Sequence, residues 1–242
     1  MKKYLNNLLG KMGYKVTKRK NFLKLFRTLD ETIISLINKQ NPIIFDVGAH
    51  NGETIQRFNK VFKSPIFHCF EPQKDCFENL KKFDSKNVFL NNFALGEKKE
   101  IKEINILNES ASSSLYNLDE NSTFLNNLKK VDTQKISIST IDDYVMENSI
   151  KTIDLLKIDV QGYEDQVLKG ALKSLEKFFL IEVEIIFVDY YEKKKSFYDI
   201  EKTFLNNNFE LYSISTPQFT KNYRVKWLDA LYVNTNLLSN YL

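Results

Sequence analysis

From Pro42 onward the chain alternates short apolar runs with amphipathic stretches, and this rhythm constrains the fold most. IIFDVG (43–48), PIFHCFEP (65–72), VFLNNFAL (88–95), DLLKIDV (154–160) and FFLIEVEIIF (178–187) are short, rich in Ile, Val and Phe, and read as buried strands. Between them ETIQRFNKVF (53–62), KDCFENLKKF (74–83), IDDYVMEN (141–148) and YEDQVLKGALKSLEK (163–177) read as helices. Such alternation predicts β-α-β units and an α/β fold with a mostly parallel, doubly wound sheet. SFYDIEKTFLNNN (196–208) reads as one more helix. FELYSIST (209–216) and KWLDALYVN (226–234) then predict an antiparallel hairpin at the sheet edge.

Two stretches fall outside the rhythm. Residues 97–135 hold EKKEIKEINIL, a candidate extra strand, and a Ser-rich segment over 108–134 that is expected to be a long loop over the site. A plain surface insertion is the alternative. KISISTI (135–141) is strand-like again. Before Pro42, the residues Phe22, Leu25, Phe26, Leu29, Ile33, Leu36 and Ile37 follow a helical period that Asn41–Pro42 ends. The expected division is a helical appendage over 1–41 and one domain over 42–242.

Composition narrows the class. Seven Gly and four Pro in 242 residues exclude collagen-like and low-complexity chains. Two cysteines, Cys69 and Cys76, are too few for a disulfide framework. No run of about 18 uncharged apolar residues occurs, so no stable membrane insertion is expected. The basic start lacks a continuous apolar segment and a small-residue cleavage site, so a cytoplasmic location is the expectation. A net charge of +4 permits an acidic ligand without implying nucleic acid.

The chemistry sits at the strand exits. Asp46-Val47-Gly48-Ala49-His50-Asn51-Gly52 lies between a strand and a helix. Gly48 allows a sharp turn, Gly52 opens the helix, and a ligand can lie against the exposed N–H groups. Asp46 would set a carboxylate beside a cationic group. Glu71 ends the next strand, 19 residues beyond Gly52, where a carboxylate meets the ribose hydroxyls of a nucleoside. The alternative is that Asp46 and Glu71 only cap the helices after them. A dinucleotide site wants G-x-G-x-x-G, and a phosphate loop G-x-x-x-x-G-K-[ST]. Here only G-x-x-x-G is present, with His50 and Asn51 filling the pyrophosphate's space. S-adenosylmethionine has no phosphate, and its sulfonium and ammonium groups favour nearby carboxylates.

LLKIDVQGYE (155–164) ends another strand at Asp159. Asp159 can orient a hydroxyl, accept its proton, or hold a divalent cation with Glu164; the alternative is a helix N-cap. Gln161 brings an amide nearby. Glu182 and Glu184 alternate with Ile and Val and share one strand face, where Glu182 can line an acceptor pocket. Tyr190, Tyr191 and the lysines at 193–195 read as acceptor walls or as a solvated face. Trp227 reads as core, and His68 as a sheet histidine with its hydrogen bonds satisfied. His50 reads as a donor contact, a base, or a loop residue bonded to the backbone.

FDVGAHNGET (45–54), FEP (70–72), NNFALGE (91–97), SSSL (112–115), STIDDYV (139–145), DLLKIDVQGYEDQVLKGA (154–171), IEVE (181–184) and DALYVN (229–234) together resemble the FkbM-type family of S-adenosylmethionine-dependent methyltransferases. The resemblance covers about 42–234 and implies the class I methyltransferase fold. On the matching positions it implies the glycine turn at Gly48 and Gly52, a ribose contact by Glu71 and an adenine border around Asn92 to Ala94; Asp46, Ala49, His50, Thr54, Pro72 and Asp159 are further expected cofactor contacts. Gln161 stands where many relatives carry an acid.

The expected reaction moves a methyl group from S-adenosylmethionine to a hydroxyl of a glycan, sugar or secondary metabolite. Asp159 is the expected catalytic residue, with Glu164 and His50 as further candidates. Gln161, Glu182 and Ser113 are expected on the acceptor side, and no metal ligand set is assigned. The rivals are a non-catalytic nucleoside- or partner-binding module and a nucleotide-dependent oxidoreductase. Methylation of DNA amino groups is not expected, since no D/N-P-P-Y/F tetrapeptide occurs. The oligomeric state stays open.

Overall fold

The computed structural model describes Leu9, Lys11, residues 27–125 and residues 127–240. Helix α1 (Leu29–Leu36) is capped by Thr28, whose hydroxyl accepts from the Glu31 N–H while the Glu31 carboxylate accepts from the Thr28 N–H. Phe22, Leu25 and Phe26 of the expected front helix lie outside the described residues.

In chain order there follow β1 (Ile43–Val47), α2 (Glu53–Asn59), β2 (Ile66–Phe70), α3 (Lys74–Leu80), β3 (Val88–Asn91), β4 (Ala94–Leu95), β5 (Glu100–Leu107) and β6 (Lys130–Ser139). Then come α4 (Ile141–Glu147), β7 (Ile153–Ile158), α5 (Glu164–Lys169), β8 (Phe178–Ile186), α6 (Phe197–Leu205), β9 (Phe209–Ile214), β10 (Gln218–Phe219) and β11 (Val225–Asn234). The main sheet runs β3-β2-β1-β7-β8-β11, with β9 and β10 on the far side of β11. Its first five strands are parallel, and β11 is antiparallel to both β8 and β9. This is the class I methyltransferase architecture. The order reverses between β1 and β7, so the loops leaving their carboxyl ends diverge and open a crevice.

The hairpin expectation is half right. β9 and β11 do pair, but β11 lies inside the sheet, in register with β8 from Trp227 to Val233. Its buried apolar residues need cover on both faces, which an edge position would not supply.

Strand alternation sorts the core into two layers. Phe45, Val47, Leu156, Ile158, Ile181 and Val183 face one cluster, with Val167 and Leu168 of α5 and Phe204 of α6. Ile44, Leu155, Leu180 and Leu231 face the other, with Leu29 and Ile33 of α1 and Ile55 and Phe58 of α2. Helix α1 therefore belongs to the same packed body as the sheet. His68 is buried, bonded to the Tyr144 hydroxyl at 2.9 Å and stacked on Phe89, as expected of a satisfied sheet histidine.

Several boundaries differ from expectation. VFLNNFAL divides between β3 in the main sheet and β4 in a second sheet of order β4-β6-β5. β6 starts at Lys130, so 130–134 is strand; the polar residues there lack alternation, and pairing with β5 imposes the extended form. The expected helix over 163–177 ends at Lys169, because α5 then meets the second sheet: a Cβ on Gly170 would sit 1.9 Å from the Gly96 carbonyl oxygen. No helix among the described residues is long and apolar enough to cross a membrane.

Candidate active site

The exits of β1 and β7 touch backbone to backbone. Gly48 has φ +87°, and a Cβ there would lie 1.9 Å from the Asp159 carbonyl oxygen, so only glycine allows the approach. Asp46, one turn of the strand below, is fully buried. Its Oδ1 accepts from the Thr54 hydroxyl at 3.1 Å, while its Oδ2 has no partner. Burial pushes its carboxyl up to about 6, against the pull of the Lys157 ammonium. Gly52 then opens α2 as its N-cap.

Glu71 faces the same turn. Its two oxygens accept from the N–H groups of His50 at 2.7 Å and Gln73 at 2.8 Å. Burial still pushes its carboxyl up to about 7. The cleft in front of it is lined by Gly48, His50, Pro72, Ala94, Leu95, Ile104, Ser113 and Tyr163. Asn92 does not line it. Its amide donates to the carbonyls of Glu71 at 2.8 Å and Pro72 at 3.3 Å, which holds the Glu71 turn in place. Ser113 lines this cleft and neither of the two cavities beyond it, contrary to its expected acceptor-side place. Its hydroxyl accepts from the Leu107 N–H at 3.0 Å.

Two cavities open on the other side of Asp159. One holds Thr54, Arg57, Lys157, Glu182, Glu184, Trp227 and Asp229; the other holds Gln161, Glu184, Tyr190, Tyr191, Lys226 and Trp227. Asp159 and Ala111 line the cleft and both cavities. Ala111 sits in the turn Ser110–Ser112, so the long loop after β5 does cover the site.

Asp159 is ionised. Burial opposes its charge, but Lys157 at 3.1 Å and the Gln161 amide at 2.8 Å hold its carboxyl below the usual range. Lys157 is buried yet stays charged between Asp159, Asp46 and Glu182. Gln161 Nε2 also donates to Glu184 at 2.8 Å, and the Tyr191 hydroxyl lies 2.9 Å from Gln161 Oε1. Burial, with Asp159 adding to it, raises the Glu184 carboxyl well above its ordinary value. The two acids are thus shifted in opposite directions, Asp159 toward its ionised form and Glu184 toward its protonated form.

Glu164 takes no part in this surface. Its Oε1 accepts from the N–H groups of Gly162 at 3.0 Å and Val160 at 3.3 Å, which closes the turn after β7, so it is a positioning residue and its catalytic expectation is withdrawn. His50 is likewise tied down. Its ring lies 2.9 Å from the Ser110 hydroxyl and 3.2 Å from Glu53, strapping the turn to the covering loop. Glu182 lines the acceptor-side cavity as expected and pairs with Arg57 at 2.8 Å. Trp227 departs from its core expectation: it is half-buried and lines both cavities. Lys193 and Lys195 line neither, and Lys194 approaches Asp189 at 3.9 Å.

Sequence reasoning passed over Arg57, Lys157 and Asp229. Lys157 carried a signal, a lysine inside the buried run LLKID two residues before an acid on the same face. Arg57 and Asp229 carried none, since their relevance comes from neighbours on other strands.

Fold and cleft together define a class I methyltransferase. The model of the methyltransferase FkbM domain matches residues 46–211. The methyltransferase FkbM of Methylobacillus flagellatus KT is structurally similar at TM-score 0.52 and 16% identity, over 81% of this chain and 44% of that one. This chain thus spans less than half of that protein's length. An rRNA methylase from Streptococcus thermophilus matches at TM-score 0.47 and 12% identity, over 84% of this chain and 92% of that one. M. capricolum TrmK, solved with S-adenosylhomocysteine, matches at 0.48 and 10% identity, over 84% and 67%. No curated protein sequence matches the chain. The chain belongs to the FkbM methyltransferase domain family, whose methyl donor is S-adenosylmethionine.

Proposed function

We propose that the chain transfers a methyl group from S-adenosylmethionine to a hydroxyl of a sugar acceptor. The carrying observation is Asp159, an ionised carboxylate at the junction of the nucleoside cleft and the two cavities beyond it. The residues fit the donor. Glu71 offers free lone pairs to a ribose, and the cleft walls Pro72, Ala94 and Leu95 suit an adenine, whereas Asp46 lines neither the cleft nor the two cavities and braces the turn from below. Gly48, Ala49 and Gly52 shape the turn beneath, with Thr54 fixing Asp46. S-adenosylmethionine supplies an electrophilic methyl at a sulfonium centre.

The chain's own residues align the acceptor and take its proton. Asp159 accepts a hydrogen bond from the hydroxyl and fixes a lone pair toward the cleft. A carboxylate held this low is a weak base toward a free alcohol. It suffices once the alcohol oxygen gains a third bond, because that oxygen is then strongly acidic. Tyr190, Tyr191 and Trp227 offer flat apolar walls, and Gln161 and Glu184 offer polar groups, a combination suited to a sugar. The cytoplasmic location and an acceptor other than nucleic acid belong to the same proposal, while residue 41 marks where the strand–helix alternation begins and not an edge of the packed body, because α1 shares the core of the sheet.

Methyl transfer to a hydroxyl-bearing glycan panel, read by mass spectrometry, tests it. Asp159→Ala is expected to keep S-adenosylhomocysteine binding and lose at least ~100-fold in turnover, the scale of a lost proton acceptor. Near-normal turnover in that variant removes Asp159 from the mechanism. Cofactor binding with no transfer to any acceptor favours the non-catalytic module.

A further inference from the structure

We propose that the acceptor carries a positively charged amino group near the methylated hydroxyl, held by Asp229 and Glu182 against the Trp227 ring. This rests on the acceptor-side assignment of the cavity made above. The starting point is strand register. Lys157 of β7 stands opposite Glu182 of β8, and Asp229 of β11 stands opposite Glu184 of β8. Side chains two apart share a face, so Trp227 and Asp229 point the same way, as do Glu182 and Glu184. The result is a block of acids across the end of three adjacent strands. Like charges placed opposite each other in a sheet cost stability.

Most of that cost is offset locally. Lys157 pairs with Asp159, and Arg57 ties Glu182 to Asp30 of α1. Asp229 is different: among the described residues no side chain donates a hydrogen bond to its carboxylate. Glu182 retains a second vacancy, since it is 2% exposed and its Oε2 has no partner. Burial pushes the Asp229 carboxyl up to about 6, with Glu182 adding to the effect. Both acids line one cavity together with Trp227.

Two incompletely paired carboxylates that share a cavity with an indole favour an ammonium group beyond the Arg57 and Lys157 already there, through charge-assisted hydrogen bonds and cation–π attraction. The cavity also reaches Gly48, Ala49 and Thr54 of the donor turn, so its near end belongs to the donor; Asp229 stands at the far end, three strands from β1, about 14 Å at the usual strand spacing. A metal ion is a poorer match, because among the described residues no three His, Cys, Asp or Glu are placed to hold one. The occupant of chosen chemistry is therefore an amino sugar, with the ammonium in the Asp229–Trp227 corner and a hydroxyl at Asp159.

The test uses the full chain loaded with S-adenosylhomocysteine and titrated by calorimetry at pH 7. The probes are methyl glycosides of 2-, 3-, 4- and 6-amino-deoxyhexoses, each with its N-acetylated counterpart. At least one amine is expected to bind ~10-fold or more tightly than its acetylated form, as a desolvated charge pair requires. Asp229→Asn is expected to abolish that preference. The ligand-free variant is expected to melt no lower than the wild type, because the substitution removes repulsion. Equal binding of amines and acetyl forms across the panel, binding of neither, or a preference surviving in Asp229→Asn overturns the proposal. The site of methylation reads out separately: a methyl found on nitrogen by NMR, with the amine preference intact, refutes the hydroxyl assignment and supports the ammonium site.

Discussion

Glu71 makes donor binding depend on pH in a way that can be computed from its surroundings. Its carboxyl titrates at about 7 in the ligand-free protein, because burial outweighs two backbone N–H bonds. A ribose donates hydrogen bonds, so it binds the ionised form. The affinity then falls as pH drops below about 7, by the factor 1 + 10^(pKa − pH), which is about 2 at pH 7 and about 11 at pH 6. S-adenosylhomocysteine is therefore expected to bind about tenfold more weakly at pH 6 than at pH 8, or about 1.4 kcal/mol. Asp46 contributes mainly at the acid end, since it titrates at about 6. Glu71→Gln separates the two. It keeps the shape, turns one oxygen into an NH2 against either the His50 or the Gln73 N–H, and removes the charge that the ribose faces. A lost hydrogen bond to a charged group is worth about 1.5–3 kcal/mol, so affinity at pH 8 should fall about 10- to 150-fold. The slope between pH 8 and 6.5 should vanish in the variant. Calorimetry across pH 6–8 on both proteins is the assay. A flat wild-type profile, or a Glu71→Gln variant with unchanged affinity, refutes the ribose assignment.

Gly48→Ala is expected to lose both stability and donor binding. Its Cβ would lie 1.9 Å from the Asp159 carbonyl, and φ +87° costs an alanine about 1–2 kcal/mol before that clash. A melting temperature and a donor affinity both near wild type would show that the β1 and β7 exits part easily. The ligand-free protein is also expected to lose stability as pH rises from 5 to 7.5. The carboxyls of Asp46, Glu71, Glu164 and Asp229 are raised to about 6 or 7, so the folded state holds protons there that the unfolded chain has released. His68, lowered to about 4 by burial, works in the opposite direction over 4–6.5 and offsets one of the four. A melting temperature that climbs steadily over that range would contradict the assignment of these groups.

The strand–helix rhythm was legible because burial imposes a period on each element, and period survives in the sequence. So were the strand-exit residues Asp46, Gly48, Glu71 and Asp159, which sit where a parallel sheet must open its crevice. Misreadings arose where one segment's partner lies far along the chain. β4 left the main sheet for β6, α5 stopped against Gly96, and β11 inserted between β8 and β9. None of these has a local signal, because each is decided by what packs alongside.

The same division runs through the site. By itself the sequence determined a nucleoside turn, an acid at the second strand's tip and an acid at the end of the run LLKID, each readable from its neighbours along the chain. Only the tertiary structure decided which acids are charged, and which residues act by holding others. Glu164 and Asn92 became braces of turns, and His50 became a strap to the covering loop. Cross-strand register set Lys157 among three acids and left the Asp229 carboxylate, among the described residues, without a side-chain hydrogen-bond donor. Electrostatics acts through space, over a few ångströms between strands that lie tens of residues apart, and no reading along the chain contains that distance.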